Sequence, residues 1–284
     1  MADEYRKAKT KSTIVWVIAF FFAIIWLLVA FIPFLFMILN SFRGQGDMLQ
    51  HGVFTLPQPF IFSNYPEVMK QGFMGYFSRS VIVVAVSLTI LLFITACASY
   101  PLSRMRFKLR LPLRALIVAM MSVPMHVTLI PIFKMANKVG IYDSIWALIG
   151  PYVAFGLPLA TFILSSFMEQ TIPKEVEEAA EIDGCGRYAM FFRIIFPLSK
   201  AGLSTLAIYN GVSMWNEFAF ANTLTQSKAA KTLPLALSAF KGENTINTPL
   251  ILAVLTLSVL PMIILFLIFQ DKLVKGMMAG AVKG

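Results

Sequence analysis

The stretch Glu178-Ala179-Ala180-Glu181-Ile182-Asp183-Gly184, residues 178–184, is a polar segment between two long apolar runs of the sequence. Ile194 and Pro197 follow its last glycine after a second short segment. We expect residues 178–184 to belong to a folded cytosolic segment set between two membrane spans. A membrane protein that carries such a segment is expected to dock onto another surface.

The apolar runs belong to a chain of 284 residues, of which 58% are apolar and 13% charged. A water-soluble domain of this size rarely tolerates such a composition. A bilayer core of about 30 Å needs roughly 20 apolar residues per helix. Six stretches meet that length, at about 14–39, 79–100, 113–133, 146–167, 201–221 and 248–270. The sequence therefore predicts an all-α membrane protein with six transmembrane helices.

Basic residues indicate the orientation, because cytoplasmic segments near helix ends are enriched in Lys and Arg. Placing both termini, the 101–112 loop and the 168–200 loop on one side collects 16 of the 24 Lys and Arg residues there. The predicted order is a cytoplasmic N-terminus (1–13), a six-span membrane domain (14–270) that includes the cytoplasmic loop 168–200, and a cytoplasmic tail (271–284). The net charge of +10 thus follows from topology, and no nucleic-acid partner is expected.

The sequence lacks the residue patterns of metal sites, of nucleotide-binding phosphate loops and of proton relays. His51 and His126 have no neighbouring Cys, His or carboxylate at ligand spacing, so no metal site is expected. The dipeptide Gly-Lys is absent, which excludes a Gly-x-x-x-x-Gly-Lys-Ser/Thr phosphate loop. The spans lack the chains of buried carboxylates expected of a proton-coupled pump. If transport is driven, the driver is expected to be another subunit.

The segment around residues 178–184 has the end signals of a short helix. Pro173 fits a first helical turn, glutamates complement the positive end of the dipole, and Gly184 or Gly186 supplies a C-terminal stop. Spacing of i, i+3, i+4 and i+7 predicts one face at Val176, Ala179, Ala180 and Asp183. The two alanines would let another surface approach the backbone closely.

A second helical turn follows, with an apolar stripe that ends where Pro197 interrupts it. The stripe comprises Tyr188, Phe191, Phe192 and Ile195. Amphipathic helices of this kind also lie flat on lipid headgroups. The pattern alone leaves both docking onto a partner and resting on the bilayer open.

Glu178-Ala179-Ala180, Gly184, Ile194 and Pro197 at this spacing resemble the EAA loop of permease subunits in binding-protein-dependent ABC importers. Departures are Phe196, where the family usually has leucine, and Cys185, where a small residue is common. Other pieces resemble the carbohydrate-importing group, and most of all the MalG-type member of its permease pair. They are Asn64-Tyr65, Tyr100-Pro101-Leu102-Ser103-Arg104, Val123-Pro124, Ile130-Pro131, Pro173-Lys174-Glu175, Trp215-Asn216-Glu217-Phe218, Thr232-Leu233-Pro234 and Gly280-Ala281-Val282-Lys283-Gly284.

The resemblance implies a MetI/MalG-like permease fold in a bacterial or archaeal cell membrane, for the import of a carbohydrate such as an oligosaccharide. The implied partners are a second, MalF-like permease, a dimer of ATPase subunits, an extracytoplasmic sugar-binding protein and the lipid bilayer. ATP and Mg would be bound by the ATPase subunits, so this chain would be no enzyme and hold no cofactor. Its EAA loop would form a coupling helix on an ATPase subunit through Glu178, Ala179, Ala180, Asp183, Gly184, Ile194 and Pro197.

The tail from Asp271 onward contains three glycines, which lower its helical preference. The resemblance implies that the tail inserts between the ATPase subunits. The contacting residues would be Gly280, Val282, Lys283 and Gly284. A frayed and dispensable end, common at chain termini, is the alternative.

A path for sugars calls for aromatic rings and amides, because sugars present apolar ring faces and many hydroxyls. The fifth span supplies both, and its candidate path residues are Tyr209, Asn210, Trp215, Asn216 and Glu217. Equally, Trp215 fits an interfacial aromatic belt, and Asn210 fits a hydrogen bond to a neighbouring helix. The outer loops 222–247 and 40–78 are expected to face the binding protein.

A stand-alone six-span secondary carrier is the alternative function. Such a carrier would have an internal inverted repeat or an intramembrane ion-pair relay, and the sequence shows neither. A channel or a passive membrane scaffold, a third option, lacks its recognisable filter or charged ring.

Overall fold

The computed structural model describes residues 2–240 and 247–281, and the side chains of residues 15–237, 240 and 247–268. This part of the chain forms two units. Unit 1 takes the residues up to Gln71 together with Phe240–Leu257, and unit 2 takes Gly72–Ala239 together with the residues from Ser258 onward.

The structure of these residues is helical, and no strand occurs among them. The α-helices are α1 (Ala2–Ser41), α2 (Gln45–His51), α3 (Asn64–Lys70), α4 (Phe73–Arg104), α5 (Arg110–Met121), α6 (Leu129–Val139), α7 (Trp146–Thr171), α8 (Lys174–Ile182), α9 (Arg187–Met190), α10 (Phe196–Leu198), α11 (Lys200–Trp215), α12 (Ala219–Leu224), α13 (Ala236–Phe240) and α14 (Thr248–Ala281). Short 3-10 helices span Met125–Thr128 and Leu233–Leu235, and a π-helical turn spans Phe191–Ile195.

Four helical stretches among the described residues are long and apolar enough to cross a membrane: Val15–Ser41 of α1, all of α4, all of α7, and α14 as far as Ile268. Two further stretches qualify only as bent pairs. Arg110–Met121 meets Met125–Val139 at 88°, and Arg187–Leu198 meets Lys200–Trp215 at 66°. The count is therefore four spans, or six if each bent pair is one span.

The prediction of a single helix over 113–133 is wrong. α5 ends at Met121, and the chain turns before the helical segment that starts at Met125. Pro124 has no N–H to donate and disfavours a helical conformation at Val123, so the helix stops before this dipeptide.

The predicted helix over 201–221 also ends early. α11 stops at Trp215, and a new helix, α12, starts at Ala219. The carboxylate of Glu217 accepts hydrogen bonds from the backbone N–H groups of Phe220 at 2.8 Å and Ala221 at 3.1 Å. It therefore caps the start of α12, which favours a break over a continuous helix.

The four unbroken long helices, α1, α4, α7 and α14, are all longer than the spans predicted for them, and α4 and α14 show the largest consequences. α4 begins at Phe73 and ends at Arg104, and α14 continues to Ala281. The expected low helical preference of the tail is thus wrong as far as Ala281. A glycine costs only about 1 kcal/mol in a helix, and the flanking Leu, Met, Lys and Ala residues favour helix. Gly280 lies in α14, whereas Val282, Lys283 and Gly284 lie outside the described residues.

In unit 1, polar groups fix the chain that follows α1. The buried Arg43 side chain lies 3.3 Å from Asp47 and donates to the carbonyl oxygen of Gly52. Asn64 donates 2.8 Å hydrogen bonds to the carbonyl oxygens of Ser41 and Arg43. Asn64 of the Asn64-Tyr65 motif therefore ties α3 back to the end of α1.

In unit 2, the core lies between α4, α7 and α11. Glycines set the close approach of these helices. A Cβ atom on Gly156 would lie 2.9 Å from both Asn210 Oδ1 and Leu91 Cδ2, and one on Gly202 would lie 2.9 Å from Phe167 Cδ1. Small residues at crossings allow membrane helices to pack backbone to backbone.

Candidate functional site

One end of unit 2 joins α4, α7 and α8 through a single arginine. Arg104, the last residue of α4, donates to the carbonyl oxygens of Met168 and Ile172 at the end of α7. Its Nε lies 3.0 Å from Oε1 of Glu177 in α8. The Arg104 side chain is only 4% exposed, so these contacts stand in for its hydration. A displacement of α8 would therefore act on both long helices.

The electrostatics at this junction combine burial with pairing. Burial raises the pKa of the Glu177 carboxyl above its ordinary value, and the Arg104 guanidinium opposes that shift. Glu181, one helical turn further, adds to the rise because it is a like charge. The ion pair thus holds a charge that burial alone would disfavour.

The predicted helix of the cytosolic segment is confirmed as α8, and so is its stop at Gly184. Gly184 has φ 76, and its N–H donates to the carbonyl oxygen of Glu181 at 3.0 Å. The N–H of Cys185 donates to the carbonyl oxygen of Ala180 at 2.9 Å. This pair of bonds around a left-handed residue is the Schellman motif, for which glycine is preferred.

The face predicted at Val176, Ala179, Ala180 and Asp183 is divided by the fold. Ala180 is 7% exposed and belongs to the core cluster that contains Tyr100 and Phe191. Because its side chain is small, core side chains of this same chain can pack closely against the backbone of α8. Val176 is half-buried, whereas Ala179 and Asp183 are exposed. A partner can meet α8 only on a face rotated away from Ala180.

That exposed face of α8 and α9 carries apolar side chains among carboxylates. Ile182 and Tyr188 are each 86% exposed, and Phe192, four residues after Tyr188, is exposed as well. Glu175 and Glu178 are exposed on α8 as well. Large apolar side chains that stand in water among charges mark interaction surfaces more often than folding requirements.

The apolar stripe predicted after α8 is not one face. Phe191 and Ile195 are buried, whereas Tyr188 and Phe192 are exposed. Residues 191–195 form a π-helical turn, whose wider winding changes the side-chain spacing that an α-helix would give.

Pro197 explains the location of this wider turn. It has no N–H to bond to the carbonyl group four residues earlier, so the regular α ladder cannot continue through it. The N–H of Phe196 instead bonds to the carbonyl oxygen of Phe191. Pro197 itself is exposed, and Ile194 is half-buried against the core.

The opposite end of unit 2 joins other loops. Oδ1 of Asp143 accepts hydrogen bonds from the backbone N–H groups of Gln226 at 2.7 Å and Ser227 at 2.8 Å. These two donors hold the pKa of Asp143 below its ordinary value. Arg79 donates to the carbonyl oxygen of Lys231 at 2.7 Å. The loops after α6 and α12 and the start of α4 therefore share one end of unit 2.

Two of the candidate path residues have structural roles in unit 2. Glu217 caps α12 and also accepts a 2.8 Å hydrogen bond from the hydroxyl of Tyr152, so its oxygens are engaged. Trp215 is buried, with its ring edge-on to Phe77 and its Nε1 donating to the carbonyl oxygen of Ser258 at 3.4 Å. Neither presents a free sugar-binding group.

The other three path candidates are divided. Asn210 is buried and donates to the carbonyl oxygen of Leu206 within its own helix at 2.9 Å. Tyr209 is 53% exposed, and Asn216 is exposed. Of the five candidate path residues, only Tyr209 and Asn216 therefore have exposed side chains.

Among the residues whose side chains are described, no group of three or more His, Cys, Asp or Glu could hold a metal ion.

Sequence reasoning missed the contacts of Arg104 and the exposure of Ile182. From the sequence, Arg104 fits the basic 101–112 loop and a family motif, and nothing in the pattern pairs it with Glu177. A signal was present, because a lone arginine closing a long apolar helix needs an anionic or carbonyl partner. Ile182 stood out as an apolar residue in an acidic helix, outside the i, i+3, i+4 face.

Residues 92–279 match the family model described as "Binding-protein-dependent transport system inner membrane component". The chain is 46% identical over 265 residues to the putative ABC transporter permease protein ORF2 of Caldicellulosiruptor sp. (strain Rt8B.4), a match that covers 93% of this chain and 96% of that protein. It is 34% identical over 255 residues to the melibiose/raffinose/stachyose import permease protein MelC of Bacillus subtilis (strain 168), covering 89% and 92%.

The fold is similar to a chain in the crystal structure of a bacterial ABC transporter involved in the import of the acidic polysaccharide alginate. The TM-score is 0.78 at 21% identity, over 91% of this chain and 96% of that chain. The resemblance drawn from the EAA loop and the expected permease fold are thereby confirmed. The chain belongs to the family of binding-protein-dependent transport system inner membrane components, which are the permease subunits of ABC importers and leave ATP hydrolysis to a separate subunit.

Proposed function

We propose that this permease forms one half of the translocation path of an ATP-driven carbohydrate importer, and that α8 couples it to an ATPase subunit. The name of its relative MelC, which imports melibiose, raffinose and stachyose, supports an oligosaccharide as cargo. A second permease, two ATPase subunits that bind ATP and Mg, and an extracytoplasmic sugar-binding protein complete the proposed assembly.

One observation carries the coupling proposal: Ile182 is 86% exposed on α8, the helix that Arg104 ties to two long helices, and Tyr188 on the following helix, α9, is 86% exposed as well. An exposed apolar pair gives a partner something to bury. The buried arginine gives the bound helix a stiff link to α4 and α7. Rigid-body motion of α8 would then alter the path, as alternating access requires.

The proposed coupling surface comprises Glu178, Ala179, Ile182, Asp183 and Tyr188. Gly184 ends the helix, while Ala180 and Ile194 support it from the core side. The exposed carboxylates of α8 also argue against the helix resting on lipid, because anionic headgroups would repel them. They favour a protein partner with a complementary basic surface.

For the sugar path, we propose contacts from Tyr209 and Asn216, the two candidates that the fold leaves exposed. A phenol ring can stack on an apolar sugar face, and an amide can pair with hydroxyls. The contact of residues 280–284 with the ATPase subunits is proposed from the family resemblance, and the C-terminal end of α14 is long enough to present Gly280 beyond the apolar span.

The first experiment is purification of the tagged chain in mild detergent from its native membrane, followed by identification of the co-purified proteins. We expect a second permease and an ATPase dimer, with ATP hydrolysis that rises when a loaded sugar-binding protein is added. A solitary chain from a membrane in which the neighbouring proteins are expressed would contradict the proposal and favour the secondary carrier.

A second experiment tests the coupling surface with Ile182→Asp. The substitution places a charge in the proposed apolar contact, so we expect loss of sugar uptake and of the ATPase subunits from the purified complex, with the second permease retained. Leu198→Asp is the matched control, since Leu198 is an exposed apolar residue of the same 168–200 loop outside the proposed coupling surface, and it should leave uptake and the complex unchanged. Normal uptake by Ile182→Asp would place the coupling contact elsewhere.

A further inference from the structure

A basic segment connects α4 to α5, at the end of unit 2 that carries α8. Its cations are Arg106, Lys108, Arg110 and Arg114. They alternate with apolar side chains that are exposed in this chain, namely Phe107, Leu109, Leu111 and Leu113. Alternating cations and apolar groups beside a membrane span suit the depth at which lipid headgroups meet acyl chains.

Only one carboxylate offsets these four cations. Oε1 of Glu169, near the end of α7, accepts from Arg110 at 2.8 Å and also from Arg114. Arg106 and Lys108 have no carboxylate partner among the described side chains. The first turn of α5 contains no acidic residue and no side-chain cap, so its dipole adds positive potential at the same place. The four cations and the one carboxylate leave a net charge of +3 in this part of the chain.

The two arginines that share Glu169 are not equivalent. Arg110 also donates to the carbonyl oxygens of Leu102 at 2.9 Å and Ser103 at 3.2 Å, so it is held against the end of α4. Among the described residues Arg114 makes no such backbone contact, and its Nη2 alone donates, to Oε1 of Glu169. Arg114 therefore retains donor capacity that Glu169 does not use.

Beside Arg114 lies a crevice with a volume of about 80 Å³ between α4, α5 and α7. Its apolar lining is Leu102, Ile117, Val118 and Phe162. Two serine hydroxyls also line it, but Ser165 donates to the carbonyl oxygen of Thr161 at 2.7 Å and Ser166 to that of Phe162 at 3.0 Å. With its polar atoms already paired, the crevice offers an apolar surface next to an under-used guanidinium.

The geometry points to a binding site for an anionic phospholipid, with the headgroup phosphate on Arg114 and Arg106 or Lys108 and part of an acyl chain in the crevice. A free phosphate would satisfy the guanidinium but leave the apolar lining empty, whereas a lipid matches both. Glu169 acts as an internal competitor, since it occupies Arg114 when no phosphate is bound. The inference requires only that this end of unit 2 lies at the membrane surface, and it stands whichever solute the importer carries.

The test uses the full chain in detergent and measures bound lipid by native mass spectrometry during titration with dioleoyl-phosphatidylglycerol or dioleoyl-phosphatidylcholine. We expect the anionic lipid to bind more tightly than the zwitterionic one. Arg114→Gln should weaken phosphatidylglycerol binding by about five-fold, the effect of one cation near a membrane surface. Glu169→Gln should strengthen it, because the competing carboxylate is gone.

Lys200→Gln is the matched control, because Lys200 is an exposed cation on the same predicted side that does not line this crevice. It should leave phosphatidylglycerol binding unchanged. Equal effects of Arg114→Gln and Lys200→Gln, equal binding of the two lipids, or weaker binding by Glu169→Gln would each overturn the proposal. Displacement of the lipid by millimolar inorganic phosphate would show a plain anion site and overturn it as well. The opposite signs expected for Arg114→Gln and Glu169→Gln separate a specific site from general loss of folding.

Discussion

At the scale of single residues, Arg104 and Gly184 define what α8 can do. Arg104 fixes the start of the helix to α4 and α7 through one ion pair and two carbonyl groups. Gly184 ends the helix in a conformation that other residues adopt only with strain. Between these two points the helix has a set length and a set outward face.

Replacement of Gly184 by alanine should lower the thermal stability of the detergent-solubilised chain, because a left-handed backbone costs a residue with a Cβ about 1–2 kcal/mol. Gly184→Asn should cost less, since asparagine tolerates this conformation. Nothing lies within 4 Å of the added Cβ, so the effect arises from the backbone and not from a clash. Thermal unfolding followed by tryptophan fluorescence measures it.

Gly186→Ala is the matched control for that experiment. Gly186 has φ −70 and open space around an added Cβ, so alanine should be accepted without loss of stability. Equal destabilisation at positions 184 and 186 would show that the left-handed cap is not what the glycine supplies.

The raised pKa of Glu177 gives a pH dependence with a definite sign. Burial raises this pKa in the folded chain, so the folded state binds the proton more tightly than the unfolded state. The contribution of Glu177 to stability is therefore fully present below its unfolded pKa of about 4.3 and is lost as pH rises through the folded value. The natural chain should lose stability relative to Glu177→Gln as pH rises from the unfolded pKa to the folded pKa. Below and above that range, the two curves of stability against pH should run parallel.

Thermal unfolding of both proteins, measured at intervals of about one pH unit between about pH 4 and pH 8, checks this expectation. Titration of groups that do not interact with Glu177 cancels in the difference between the two curves. A difference that stays constant with pH, or one that grows in favour of the natural chain as pH rises, would contradict a raised pKa.

At the scale of elements, breaks in the helices have local causes, whereas contacts between helices depend on single small residues. Pro124 interrupts the third predicted span, and Glu217 starts a new helix where the fifth was expected to continue. Gly156 in α7 faces Leu91 and Asn210 from two other helices. Its lack of a side chain therefore sets the spacing of three elements at once.

Gly156→Ala should destabilise unit 2. The new Cβ would lie 2.9 Å from Leu91 Cδ2 and Asn210 Oδ1, and both side chains are buried, so neither can move aside freely. Overpacking of this kind costs about 1–3 kcal/mol. The measurement is the thermal midpoint in detergent, together with retention of a monodisperse elution profile.

Gly150→Ala in the same helix is the control. Nothing lies within 4 Å of a Cβ at this position, and alanine favours helix over glycine by about 1 kcal/mol. It should leave stability unchanged or raise it. A Gly156→Ala protein as stable as Gly150→Ala would mean that α4, α7 and α11 are not in close contact at this crossing.

At the scale of the whole molecule, the loops of unit 2 sort into two groups. Arg104, Glu169 and Glu177 meet at one end, and Asp143, Arg79 and the segment after α12 meet at the other. Which of these two ends is cytoplasmic stays a prediction from the basic residues. In unit 1, the apolar window of α1 is exposed along its whole length.

The predicted orientation can be checked with single cysteines in a background of Cys97→Ser and Cys185→Ser. A membrane-impermeant maleimide added to intact spheroplasts should label Lys228→Cys, which is exposed in the predicted outer loop. It should label Glu181→Cys in α8 only after the membrane is opened. The reverse pattern would place α8 and both predicted cytoplasmic termini on the outside.

The sequence by itself determined the class of the molecule, most of its spans and the helix of the 168–200 loop. These features follow from local properties: the length of an apolar run, the missing N–H of a proline and the freedom of a glycine such as Gly184 act within a few residues. The positions of the span ends were less predictable, because Phe73–Arg104 and α14 extend into polar sequence that is itself compatible with helix.

Only the tertiary structure decided which side chains are available for function. Ala180 turned out to face the core and Ile182 the outside, because α8 is fixed by Arg104 from another helix. Trp215 and Glu217 became structural through Phe77 and Tyr152, which lie far away in the chain. Such contacts form between segments that are distant in the sequence, so the residue pattern within one helix does not predict them.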